Sequence, residues 1–142
     1  MTVNERQVGG AHYGGVDFQH WDWAVTNNLG YLEGVLTKYI SRWRRKAGRQ
    51  DLEKAAHYAD KLIEVHNQGW ARLVNIIPER RKVRFVQGLD EMTSLYRLNF
   101  TEREIFRLAV EYKTLTDLRR VRALIDEIEV PPLPTEFLRR ER

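Results

Sequence analysis

Apolar residues recur along this chain at the three-to-four-residue spacing of amphipathic helices, and no segment shows the strict alternation of a strong strand. The clearest stretch runs from Tyr31 to about Ala47. Its apolar positions, Leu32, Val35, Leu36, Tyr39, Ile40 and Trp43, trace one helical face. Lys38, Arg42 and Arg45 recur at i, i+4 and i+7 and are predicted to share a second face, with Gly48 ending the helix. A shorter helix is expected before it, from about Phe18 to Asn28, with Asp17 as its cap and Asn27-Asn28-Leu29-Gly30 as its stop.

A third helix is predicted from about Asp51 to His66, burying Leu52, Ala55, Ala56, Ala59, Leu62 and Ile63. Asp51 opposes the positive end of its dipole, and the alanines allow close approach of a partner. The short connection after Gly48 makes the second and third helices an antiparallel hairpin. Gly9-Gly10-Ala11-His12-Tyr13-Gly14-Gly15 reads as a loop.

Beyond Trp70 the pattern weakens. Ile77-Pro78 marks a break, Arg80, Arg81, Lys82 and Arg84 form a basic cluster, and Asp90 to Leu98 reads as a helical turn or short helix. Thr101-Glu102-Arg103-Glu104 has the form of a capping box opening a helix to Tyr112. A last helix, about Asp117 to Glu129, carries Leu118, Val121, Leu124, Ile125 and Ile128 on one face and stops before Pro131-Pro132-Leu133-Pro134. The expected fold is mainly α: an N-terminal three-helix unit with an antiparallel helical hairpin (1–69), a basic connector (70–100), a C-terminal helical hairpin (101–130) and a mobile tail (131–142).

Composition narrows the classes. With 42% hydrophobic and 31% charged residues the chain is globular. It has no cysteine, which excludes a disulfide scaffold, a zinc finger and a thiol nucleophile. No apolar run approaches the roughly 18–20 residues of a membrane span, and Met1 to Gly15 lacks the apolar core of a signal peptide, so a cytoplasmic protein is expected. The net charge of +4 is modest, but the window Lys38–Arg49 holds Lys38, Arg42, Arg44, Arg45, Lys46 and Arg49 with no acid, a local +6. Residues 1–70 hold 9 basic and 8 acidic groups, so the excess is compact and its counter-charges lie elsewhere in the same half.

No phosphate loop, dinucleotide-binding GxGxxG, HExxH or GxSxG motif is present. The basic face of the second helix is the best chemical candidate. Arginine forks suit phosphate oxygens, of a nucleotide or of a nucleic-acid backbone; the competing reading is a solvated face that pairs with acids on the third helix. His12 and Tyr13 would close over a bound base, or belong to a plain N-terminal loop. Trp21, Trp23 and Trp43 would line a base pocket, or serve as core or interface. His57 and His66 read as packing or capping residues, since no third metal ligand is evident.

His12-Tyr13, Trp21-Asp22, Tyr31-Leu32-Glu33-Gly34, Lys38-Tyr39-Ile40-Ser41-Arg42-Trp43, Asp51-Leu52-Glu53-Lys54-Ala55 with His57-Tyr58, and Lys61-Leu62-Ile63 together resemble a short bacteriophage domain over residues 9–66. That family is labelled a domain of unknown function, "nucleotide kinase" or SaV-like. One departure is Gly34-Val35 where the family pattern has Gly-Asn; if that asparagine touches ligand, this chain binds without turnover. The resemblance implies a phage accessory protein of the host cytoplasm, and in one form a deoxynucleoside monophosphate kinase without a phosphate loop, using ATP and Mg²⁺. The basic face, the His-Tyr loop and the resemblance together make His12, Tyr13, Lys38, Arg42, Arg45, Lys54 and Tyr58 the expected nucleotide- and phosphate-binding residues, and the resemblance adds Asp22 or Asp51 to hold metal. A second expectation is a non-catalytic protein that sequesters a signalling nucleotide of host defence. A third is a nucleic-acid binder using the Thr101–Tyr112 and Asp117–Glu129 pair as a helix-turn-helix, although Glu102, Glu104, Glu111, Asp126, Glu127 and Glu129 oppose it. A homo-oligomer is also expected.

Overall fold

The computed structural model describes residues 3–5, 18–67 and 85–131. The candidate residues His12 and Tyr13, the cap Asp17, the Arg80–Arg84 cluster and the C-terminal tail lie outside these residues. Among the described residues there are six α-helices and no strand, so the chain is all-helical. The helices are α1 (His20–Thr26), α2 (Tyr31–Arg42), α3 (Arg49–Asn67), α4 (Leu89–Tyr96), α5 (Phe100–Glu111) and α6 (Leu115–Glu127), after a single 3₁₀ turn at Val3–Glu5. None of the described helices is long and apolar enough to cross a membrane.

Two hairpins make the body. α2 and α3 run antiparallel: Arg42, at the end of α2, meets Asp51 at the start of α3, while Tyr31, at the start of α2, sits 6.2 Å from Tyr58 further along α3. α5 lies antiparallel to α2, with Trp43 bonded to Glu102 at one end and Tyr112 to Glu33 at the other. α6 returns along α5 and packs on α3, where Arg122 reaches Asp60. The four helices thus close a ring, α2–α3–α6–α5, around one core. α1 packs on α2, and α4 on α5. Leu36, Ile40, Ala55, Ala59, Ile105, Phe106, Leu118 and Val121 fill the core, with Trp23 of α1 and Met92 of α4 closing one side. The N-terminal and C-terminal hairpins therefore bury their apolar faces against each other.

Helix boundaries depart from the periodicity where local geometry intervenes. α2 stops at Arg42 rather than Ala47, because the chain turns back through residues 43–48. Gly48, at φ +57°, donates its N–H to the Trp43 carbonyl at 2.8 Å. That left-handed conformation favours glycine and closes the helix end. α5 is capped by Asn99, not Thr101: Asn99 Oδ1 accepts from the Glu102 N–H, and Glu102 Oε1 accepts from the Asn99 N–H, both at 2.9 Å. The reciprocal box needs its acid three residues after the cap, and Glu102 stands in that relation to Asn99. Thr114 and Asp117 form the equivalent box for α6, which begins at Leu115.

Candidate functional site: the outer ridge of the second helix

α2 turns Glu33, Leu36, Thr37, Ile40 and Ser41 inward. Its opposite side is a ridge of Tyr31, Val35, Lys38 and Arg42, successive turns of one face. On the α1 flank lies an open groove of about 460 Å³, lined by His20, Trp21, Val25, Tyr31, Gly34 and Lys38 among others. Trp21 is half exposed and Tyr31 is 74% exposed, so two aromatic rings stand at this groove open to a ligand. Trp23 and Trp43, by contrast, are core residues at 0% and 4% exposure. Of the three tryptophans considered for a base pocket, only Trp21 is placed to line one.

On the α3 flank the tyrosines form a chain. Tyr31 lies 6.2 Å from Tyr58, and Tyr58 lies 6.1 Å from Tyr39, ring centre to ring centre. Two cations approach the same Tyr39 ring, the Arg42 guanidinium at 5.2 Å and the Lys54 ammonium at 5.4 Å. Hydrogen bonding to Tyr31 pushes the Tyr58 phenol above its ordinary pKa, with smaller contributions from burial and the neighbouring phenols, so it is a neutral hydroxyl at physiological pH. Tyr31 belongs to both flanks and joins them.

The basic window resolves into separate roles. Arg42 donates from Nε and Nη2 to Asp51, at 3.1 and 3.3 Å. Asp51 is fully buried and also accepts the Ala47 N–H at 3.2 Å. Arg42 is thus tied to an acid of α3, as the structural reading of this face anticipated. Arg44 turns the other way, to Glu102 on α5 at 2.8 Å. Arg45 lies past the end of α2 and leaves the ridge: its guanidinium sits 5.4 Å from the Tyr96 ring of α4. The predicted shared face of Lys38, Arg42 and Arg45 therefore holds only for the first two, because the helix ends at Arg42. Lys38 and Lys54 make no ion pair with any described carboxylate.

His20 was not singled out by sequence, where it is an isolated histidine at a helix start. Its Nε2 lies 2.8 Å from Thr37 Oγ1, whose hydroxyl has the Glu33 carbonyl at 2.9 Å. The hydroxyl proton goes to that carbonyl, so His20 donates from Nε2. Burial, with the nearby charge of Lys38, lowers its pKa to about 4, and it is a neutral ring at pH 7. His66 Nε2 lies 3.1 Å from the Tyr112 hydroxyl, which donates to Glu33 at 3.0 Å, so His66 does pack into the structure. His57 does not pack: it is exposed on the outer side of α3.

The proposed metal carboxylates are otherwise engaged. Asp51 is buried against Arg42 and Ala47, and Asp22 caps α1, accepting from the Gln19 N–H at 2.9 Å and from Asn4 at 2.6 Å. No group of three or more His, Asp or Glu side chains that would hold a metal ion occurs among the described residues. Asp51, buried with both oxygens committed, does not fit a divalent ion as placed, while both bonds of Asp22 fall on Oδ2.

Residues 9–60 match the model of a family described as proteins of unknown function (DUF3310). The match spans α1, α2 and α3 as far as Asp60, and so contains Trp21, the whole ridge, Lys54 and Tyr58, while α4 to α6 fall outside it. No curated protein and no solved structure matches the chain.

Proposed function

We propose that this protein binds a nucleotide in the α1–α2 groove, the base lying against Trp21 and Tyr31 and the phosphate meeting Lys38. The observation that supports this is the placement of Lys38: an exposed cation with no described carboxylate partner, in the same groove as two exposed aromatic rings. Base stacking on aromatic side chains contributes about 1–3 kcal/mol, and a charged hydrogen bond to phosphate about 1.5–3 kcal/mol. Together these suit a small phosphorylated ligand with an aromatic ring.

Binding without turnover is the form we favour over a kinase using ATP and Mg²⁺. A phosphoryl transferase needs carboxylates to hold its metal, and Asp22 and Asp51 are held by a helix cap and an arginine. A nucleotide-sequestering accessory protein of a phage, acting in the host cytoplasm, is consistent with that arrangement and with Val35 in place of the family asparagine. A nucleic-acid role for the α5–α6 hairpin has less support, since Arg107 is paired with Glu104 and Glu111, and Arg122 with Asp60 and Asp126.

A thermal-shift screen against nucleotides and short oligonucleotides, with product analysis of each hit, tests the reading. A nucleotide should raise the melting temperature by mass action. Lys38→Ala should weaken that ligand about tenfold or more, in line with one charged hydrogen bond. No nucleotide-dependent shift, or a shift indifferent to Lys38→Ala, sinks the proposal; a diphosphate product from ATP and a monophosphate would establish the kinase form instead.

A further inference from the structure

We infer that the α3 flank of the ridge is a second anion subsite, which takes a phosphate beyond the first, so that the preferred ligand is a nucleoside di- or triphosphate rather than a monophosphate. This rests on the groove reading above and extends it across the ridge.

The physical basis is the convergence of Arg42 and Lys54 on one ring. Each cation lies against the Tyr39 ring, at 5.2 and 5.4 Å from its centre, which brings the two within about 11 Å of one another. They come from different helices and repel one another. The Asp51 carboxylate offsets the charge of Arg42 but is buried beneath it, and no described acid pairs with Lys54. An anion seated between the two cations would turn that repulsion into two attractions. The Tyr58 ring, 6.1 Å from the same Tyr39 ring, borders the subsite.

The spacing sets the ligand. Lys38 and Arg42 are one helical turn apart on the ridge, a rise of about 6 Å. A monophosphate whose base lies in the groove meets Lys38 and ends there. Reaching Arg42 and Lys54 takes a further charged group along the same line, and the second and third phosphates of a nucleotide supply it.

Calorimetric titration of the full chain with a nucleoside mono-, di- and triphosphate of the same base, and with a 5′-phosphorylated dinucleotide, tests this. The di- or triphosphate should bind about tenfold more tightly than the monophosphate, as one added charged hydrogen bond allows. Lys54→Gln should remove that gain, Lys54→Arg should keep it, and both variants should stay folded, since Lys54 is exposed and makes no ion pair. Equal affinity for mono- and triphosphate, or a Lys54→Gln loss that falls equally on both, overturns the second subsite while leaving the groove standing. A Lys54-dependent gain for the dinucleotide alone overturns the polyphosphate assignment. If none of the four binds, the groove reading itself fails and the subsite falls with it.

Discussion

The indole N–H of Trp43 donates to Glu102 at 2.6 Å, joining the end of the second helix to the start of the fifth. Glu102 is fully buried. Its other oxygen accepts from the Asn99 N–H at 2.9 Å and from Arg44 at 2.8 Å. One carboxylate thus caps α5, satisfies a core tryptophan and neutralises an arginine of the basic window. Glu102→Gln keeps the shape but sets an amide NH₂ against one of these donors. We expect it to destabilise the protein by about 2–4 kcal/mol in urea denaturation, as removal of a charge from a buried, hydrogen-bonded cluster does. A change under about half a kcal/mol would show that the cluster does not depend on the Glu102 charge.

The Arg42–Asp51 pair fastens the turn of the α2–α3 hairpin, and its energetics separate fold from site. Asp51 is fully buried, and removing its partner leaves a charge with only the Ala47 N–H to accept from. Arg42→Ala and Asp51→Ala should each cost about 3 kcal/mol, and the double variant clearly less than the sum. Additive costs would mean the pair is not coupled. Loss of ligand binding in Arg42→Ala is therefore read against its stability, whereas Lys38 and Lys54 report on the site directly.

Periodicity carried the helices and the two hairpins, because burying one face of a helix imposes its spacing on the residues that form it. It did not carry what each charge does. Arg42 and Asp51 are nine positions apart and meet only because Gly48 turns the chain. Arg44 and Glu102 meet only because two hairpins pack. Neither pair has a local spacing that marks it. The shared face of Lys38, Arg42 and Arg45 assumed a helix running to Ala47, and the turn after Trp43 sends Arg45 toward Tyr96 instead. Trp21, Trp23 and Trp43 look alike in sequence, yet two face the core and one the groove. Tyr39 reads as one of the apolar positions of a helical face, and nothing in its spacing marks it as a neighbour of two cations.

His20 should make stability depend on mildly acidic pH. Its pKa is about 4 in the folded protein, against an ordinary 6.5. Between these values the unfolded chain takes up a proton that the folded ring does not. Its contribution is therefore complete above pH 6.5 and is lost progressively as pH falls toward 4, by about 3 kcal/mol. Denaturant titrations at pH 7, 5.5 and 4.5 should show this loss in the parent and a smaller one in His20→Gln. Equal losses in the two proteins would show that His20 does not titrate in this way.

Two glycines bordering the groove should respond to alanine in opposite directions. A methyl at Gly30 would stand 2.8 Å from Glu33 Oε1, and Glu33 is buried and holds the Tyr112 hydroxyl. Gly30→Ala should therefore cost about 1–3 kcal/mol by overpacking. At Gly34, inside α2, a methyl meets no atom within 4 Å. Gly34→Ala should stabilise the helix by about 0.5–1 kcal/mol, because alanine has less backbone freedom to lose. Gly34 also lines the groove, so the stabilised variant should accept a nucleotide less well, and Gly34→Leu should fill the groove and abolish the nucleotide-dependent rise in melting temperature while remaining folded. Melting each variant with and without nucleotide separates the two effects. A full ligand shift in a well-folded Gly34→Leu protein would move the nucleotide out of the α1–α2 groove.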